Sequence, residues 1–206
     1  MLSLARVLAE EIQRIDKTTV ILTRVSDEFM SLDKRLMLAV GAGADLFISL
    51  HADTVKKGKA SGSTVYTLSQ EASDQASARL ALRHGGDELI SGLDLTGAET
   101  AVTSALMGLL RRENTVRSTA FAESILNNLE NFSIKLNPTP LRKANFSVLK
   151  LPSVPSILIE TGFMSTSSDL KNLQDRDWAE KFALAISSGI LEWVAEDQLL
   201  ASKRMQ

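Results

Sequence analysis

Two residues in the chain have the type and setting for chemistry. His51 follows the apolar run of ADLFISLHAD (44–53), and Glu160 ends SILIE (156–160). Both runs are short and continuously apolar, the pattern of strands buried on two faces rather than of one-sided helices. In open α/β sheets, ligands bind at the carboxyl ends of such strands, so two of them would bring an imidazole and a carboxylate to one rim. A neutral imidazole binds a borderline ion such as zinc, and a neighbouring carboxylate can take the proton of an attacking water. A glutamate in that position is also costly to bury unless a cation, a metal or hydrogen bonds compensate. The plain alternative is that His51 simply caps a strand, and position alone leaves the two readings even.

A catalytic zinc usually takes three protein ligands and a water, which one histidine cannot supply. The other histidine, His84, precedes Gly85 and Gly86 and reads as a surface residue. A serine triad built on Ser49 or Ser61 lacks the G-x-S-x-G elbow. The GAGAD turn does not match a dinucleotide fingerprint, and no phosphate-binding G-x-x-x-x-G-K-[ST] occurs.

The elements that must position these residues follow from periodicity. Leu4, Leu8, Ile12 and Ile15 recur at helical spacing, and TVILT (19–23) reads as a strand. Ser31 can cap a helix through Leu36 and Val40 that ends at GAGAD, ahead of the His51 strand. Helix, strand, helix, strand with short links specifies a parallel sheet with helices on both faces. Beyond His51, STVYTL (63–68) is another strand and 70–83 a surface helix. Ala98 to Leu110 carries an apolar face, either as a core helix or as an inserted lid, with Arg111 to Glu113 as charged punctuation. Phe121, Ile125, Leu129 and Phe132 mark a further helix. Pro138 and Pro140 argue against regular structure, and Phe146–Leu149 offers a short strand. Asp169–Leu173 suits a short helix, and Trp178 to Trp193 a closing core helix. The tail LLASKRMQ (199–206) reads as frayed.

The totals narrow the function classes. With 206 residues and 44% hydrophobic content, the chain can bury one domain's core. A net charge of -2 gives no electrostatic footprint for nucleic acid. No apolar stretch approaches the roughly 20 residues of a membrane span. The chain has no cysteine, which excludes disulfides and thiolate chemistry.

TRVSD (23–27), LDKRLMLAVGAGADLFISLHAD (32–53), SGSTVYTLS (61–69) and ANFSVLKLPSVPSILIETGFMSTSSD (144–169) together resemble the zinc-dependent N-acetylmuramoyl-L-alanine amidases that cut peptidoglycan. The resemblance runs from about Leu4 to Trp193, and its most specific blocks are SLHAD and PSILIETGFMS. It implies that His51 is a zinc ligand and Glu160 the catalytic glutamate, in an α/β sheet flanked by helices. In the cell-division branch that this chain resembles, an inserted helical lid covers the site until a LytM-type activator displaces it. The resemblance therefore implies a lid over about 85–114, a catalytic domain over 1–196 and a tail over 197–206. Glu88, with His84 and Glu99 behind it, is the residue expected to act as an inhibitory ligand. Peptidoglycan is the expected substrate, the periplasm the expected location of the parent protein, and cell separation the expected role.

The sequence also departs from the family. The D-P-G-H-G-G-like strand with its histidine ligand, and a second ligand glutamate, have no counterpart in these residues. The first strand is thus expected to be missing and the chain as given inactive. A misplaced start, a fragment and a decayed paralogue all account for this. The competing reading is a non-enzymatic wall-binding or activator-binding module that keeps the fold without the metal.

Overall fold

A computed structural model describes residues 1–55, 60–84 and 101–204. Its centre is a four-stranded sheet made of β1 (Phe47–Asp53), β2 (Ser63–Leu68), β3 (Leu136–Ala144) and β4 (Ser156–Phe163), in the order β1-β4-β2-β3. β4 runs parallel to β1, β2 parallel to β3, and β2 antiparallel to β4. β4 is buried along its whole length, as its unbroken apolar run requires.

Among the described residues six helices surround the sheet: α1 (Leu2–Ile12), α2 (Leu32–Gly41), α3 (Gln75–Arg83), α4 (Ala101–Asn131), α5 (Ser167–Gln174) and α6 (Arg176–Arg204). Leu4, Leu8 and Ile12 of α1, Phe121, Ile125 and Leu129 of α4, and Phe182 and Ile186 of α6 pack on Val65, Ile157 and Ile159. On the opposite face, Leu36 of α2, Leu80 of α3 and the segment Phe146–Leu151 cover Phe47, Tyr66 and Leu158. The alternation along β4 sends Ile157 and Ile159 to one core and Leu158 to the other, so Glu160 lies on the α2–α3 side. Side-chain caps start two of these helices: Ser31 Oγ accepts from the Lys34 amide at 3.4 Å, and Asp74 Oδ1 from the Ser77 amide at 2.8 Å.

Five expectations are corrected. The segment TVILT (19–23) forms no strand. Val20 does pack against the core, but β1 pairs only with β4, and an extended run without a ladder partner is not a strand. Pro138 and Pro140 do lie in a strand. β3 is an edge strand, and its pairing jumps from Ser63↔Leu136 to Val65↔Leu141, so the prolines fall in the irregular stretch where no ladder N–H is required. Phe146–Leu149 is not a strand but leads into a 3-10 turn at Ser147–Leu149. Arg111–Glu113 does not interrupt the helix: α4 is continuous through it, because arginine and glutamate are good helix formers and no glycine or proline intervenes. The tail LLASKRMQ (199–206), expected to fray, continues α6 as far as Arg204, and 205–206 lie outside the described residues. Of the lid, residues 85–100 lie outside the described residues, and 101–114 form the first part of α4.

Candidate active site

His51 and Glu160 are Cα partners across the parallel pair β1–β4. Partners in a parallel ladder send their side chains to the same face, which brings the two chemistry-bearing residues together as expected. The ladder register then shifts between His51 and Asp53. Beyond that irregularity the main-chain N–H of Asp53 donates to Glu160 Oε1 at 2.6 Å. Bulges commonly re-aim groups beside functional sites, and this one delivers an amide to the carboxyl.

Glu160 is fully buried, and its Oε2 has no hydrogen-bond partner. Burial pushes its carboxyl up to about 8; the amide of Asp53 opposes the shift and the nearby Asp53 charge adds to it. Burial likewise holds the His51 imidazole down to about 4, with His84 and Arg35 adding to the effect and Asp53 opposing it. Near neutral pH His51 is therefore an uncharged ring, the form that binds metals. Its Nε2 lies 3.0 Å from Ser49 Oγ. This pairs His51 with a serine, but the carboxylate that could orient a triad, Asp53, faces His84 instead.

The expectation of a surface position for His84 is corrected. The last turn of α3 carries its ring to His51, with centroids 4.4 Å apart and planes at 82°, and its Nε2 lies 3.4 Å from Asp53 Oδ1. Arg83 Nη2 is 3.0 Å from Asp53 Oδ2, and its Nη1 donates to the Thr54 carbonyl at 3.2 Å. Burial would raise the Asp53 carboxyl, but His84 and Arg83 outweigh it and hold the group below the ordinary aspartate range. Asp53 Oδ2, His84 Nε2 and Glu160 Oε2 all lack an aligned hydrogen bond; the first is ion-paired with Arg83 and the second lies beside Asp53, which leaves Glu160 Oε2 as the atom without a charged neighbour at contact distance among these. Glu88 and Glu99 lie outside the described residues.

Sequence reasoning missed Asp53 and Arg83. Asp53 was legible only as the last letter of SLHAD, and Arg83 as helix-end charge; the signal for both was their distance from His51 once α3 folds back over the sheet.

Among the described residues, no group of three or more histidine, aspartate or glutamate side chains is arranged to hold a metal ion. His51 is a sound single ligand, but Asp53 and His84 face one another and Glu160 is held by an amide. The donor set present does not fit a catalytic zinc, which takes three protein ligands.

A family model described as N-acetylmuramoyl-L-alanine amidase matches residues 1–192. The N-acetylmuramoyl-L-alanine amidase AmiC of Escherichia coli O6:H1 is 31% identical over 204 residues, covering 98% of this chain and 48% of that protein. AmiA of Salmonella typhimurium is 32% identical over 173 residues, covering 84% of this chain and 60% of that one. The chain thus spans between about half and three-fifths of these relatives. Among solved structures, the amidase AmiC2 of Nostoc punctiforme superposes with a TM-score of 0.61 at 25% identity, covering 94% of this chain and 82% of that one. CwlD of Clostridioides difficile, solved in complex with the GerS lipoprotein, shares the fold with a TM-score of 0.66 at 21% identity, covering 94% and 84%.

Proposed function

The chain belongs to the N-acetylmuramoyl-L-alanine amidase family, and from that premise we propose that it serves hydrolysis of the peptidoglycan amide between the lactyl group of N-acetylmuramic acid and L-alanine, with Glu160 as the proton-handling residue. One observation carries this reading: a fully buried carboxyl, raised to about 8 and with one oxygen lacking a hydrogen bond, occupies the ladder position opposite His51, whose imidazole is uncharged near neutrality. A carboxyl in that range can exist in either protonation state near neutrality. As carboxylate, its Oε2 takes a proton from water while the water oxygen bonds to the amide carbon. As acid, it returns that proton to the departing nitrogen when the carbon–nitrogen bond breaks.

The resemblance assigns zinc to such sites, where it would polarise the amide and lower the pKa of water. His51 is the residue that would bind it here. Because the described donor set is short of three ligands, the proton transfers rest on Glu160, and turnover by the chain alone is expected to be very low. The setting assigned by this reading is cell separation in the periplasm. The exposed stretch of α4 around Leu109 and Val116 is the surface offered to a LytM-type activator. No helix among the described residues is long and apolar enough to cross a membrane.

The test is product analysis on purified sacculi in excess zinc. The amidase reading expects a low yield of free peptide beginning with L-alanine, abolished by Glu160→Gln. No such product from a folded chain, together with retained sacculus binding by both forms, would replace it with the non-enzymatic wall-binding reading that the incomplete donor set favours.

A further inference from the structure

α3 ends against the site, and its last contacts do not belong to the helix's own packing. Leu80 and Ala81 of α3 enter the core, whereas Arg83 and His84 turn onto β1. Arg83 makes two contacts there, an ion pair with Asp53 at 3.0 Å and a hydrogen bond to the Thr54 carbonyl at 3.2 Å. His84 lies beside the same carboxylate, its ring packed edge-on against His51 and 6.5 Å from the ring of Phe146. None of these contacts is a buried, well-aligned hydrogen-bond network. The side chain of Arg83 is 52% exposed, Asp53 Oδ2 and His84 Nε2 lack aligned hydrogen bonds, and the helix is anchored independently by its core residues. Contacts with such exposure and alignment are weak, so they can break without unfolding the helix.

We propose that Arg83, Asp53 and His84 form a latch that parks the His84 ring over His51 and closes the site, opening when Arg83 leaves Asp53. Arg83 is a positioning residue in this device: it binds Asp53 and the Thr54 carbonyl, its charge is felt at Glu160, and it acts by fixing the strand end on which His84 rests. The latch regulates the site of the proposed amidase and rests on that reading for its purpose, but its geometry stands on contacts that need neither metal nor substrate. Asp53 serves both sides, because its carboxylate takes the latch and its amide holds Glu160. Release of the latch therefore frees the rim without removing the hydrogen bond that holds the carboxyl.

The chain contains two histidines, so their reactivity can be read individually by mass spectrometry. The experiment treats the whole chain with diethyl pyrocarbonate and follows carbethoxylation of His51 and His84 with time. In the unaltered protein His51 is expected to react slowly. Arg83→Ala keeps both rings of the His51–His84 pair, yet is expected to raise the His51 rate by about fivefold or more and the His84 rate with it. Arg83→Lys, which keeps the charge on Asp53, is expected to stay near the unaltered rate. His84→Ala, which removes the covering ring, is expected to give a His51 rate at least as high as Arg83→Ala. Circular dichroism melts of the same samples identify any variant that reacts because it has unfolded; Arg83→Lys and His84→Ala then carry the comparison. An unchanged His51 rate in folded Arg83→Ala would overturn the latch. Since the readout involves no hydrolysis, that result leaves the amidase reading intact, and a failed product analysis leaves the latch intact.

Discussion

His51 and Glu160 sit opposite one another in the β1–β4 ladder, and the same burial shifts them in opposite directions: the imidazole down to about 4, the carboxyl up to about 8. Both shifts favour the uncharged form, as expected where two ionisable groups share an environment poor in solvent.

The stability of the metal-free chain should therefore depend on pH in a divided way. Glu160 holds its proton more tightly folded than at its ordinary 4.5, so its contribution is complete below that value and lost as pH rises through about 8. His51 holds its proton less tightly than at 6.5, so its contribution is complete above that value and lost as pH falls through about 4. Between about 4.5 and 6.5 the two trends oppose each other. From about 6.5 to 8 Glu160 acts alone, and stability should fall with a slope approaching about 1.4 kcal/mol per pH unit. Urea unfolding in chelator at several pH values measures this, and Glu160→Gln should flatten the limb above 6.5. A limb of equal slope in the variant would show that another group titrates there.

Gly62 is needed for a close approach of two strands. Its φ is +80°, and a Cβ at that position would lie 2.6 Å from the carbonyl carbon of Leu136. Gly62→Ala must therefore strain the backbone and push β3 away from β2, at a cost of about 2–5 kcal/mol. A thermal melt shows whether the loss is of that size; a drop within experimental error would mean that the β2–β3 edge yields freely.

How much was legible in the residues depended on whether a signal was local. The strands holding His51 and Glu160 were readable because an unbroken apolar run has few other uses, and α1 because its spacing is helical over three turns. TVILT (19–23) has equal strand character but no partner, and partner availability is a property of the whole sheet. β3 was hidden by prolines that an edge strand tolerates. At the site, His51 and Glu160 could be paired from topology alone. The places of Asp53, Arg83 and His84 could not, since they depend on where the end of α3 lands across a loop of unspecified course.

Asp169 holds the loop after β4 against the start of β2. It is buried, and its Oδ2 accepts from the amides of Gly62 at 2.9 Å and Phe163 at 3.1 Å. Asp169→Ala leaves two buried donors without an acceptor, at about 1–3 kcal/mol each. Asp169→Asn retains one acceptor oxygen and should lose less than half as much. Equal losses in the two variants, read from denaturant midpoints, would show that one neutral acceptor oxygen cannot replace the carboxylate there, since asparagine keeps the volume.

α4 grips the entry to β4. Asn114 Nδ2 donates to the carbonyls of Leu151 at 2.9 Å and Val154 at 3.0 Å, and Ser118 Oγ accepts from the amide of Ser156 at 3.0 Å. Ser156 opens β4, four residues before Glu160, so Asn114 and Ser118 reach the site through the main chain. The four residues ahead of Asn114 are exposed. Asn114→Ala should cost about 1–2 kcal/mol and, more tellingly, speed hydrogen exchange at the Ser156 amide and along the start of β4. Ser118→Ala removes the acceptor of Ser156 directly and should speed exchange at that amide more than at Ile159. Uniform acceleration over the whole protein in both variants would indicate global destabilisation and break the mechanical link between α4 and Glu160.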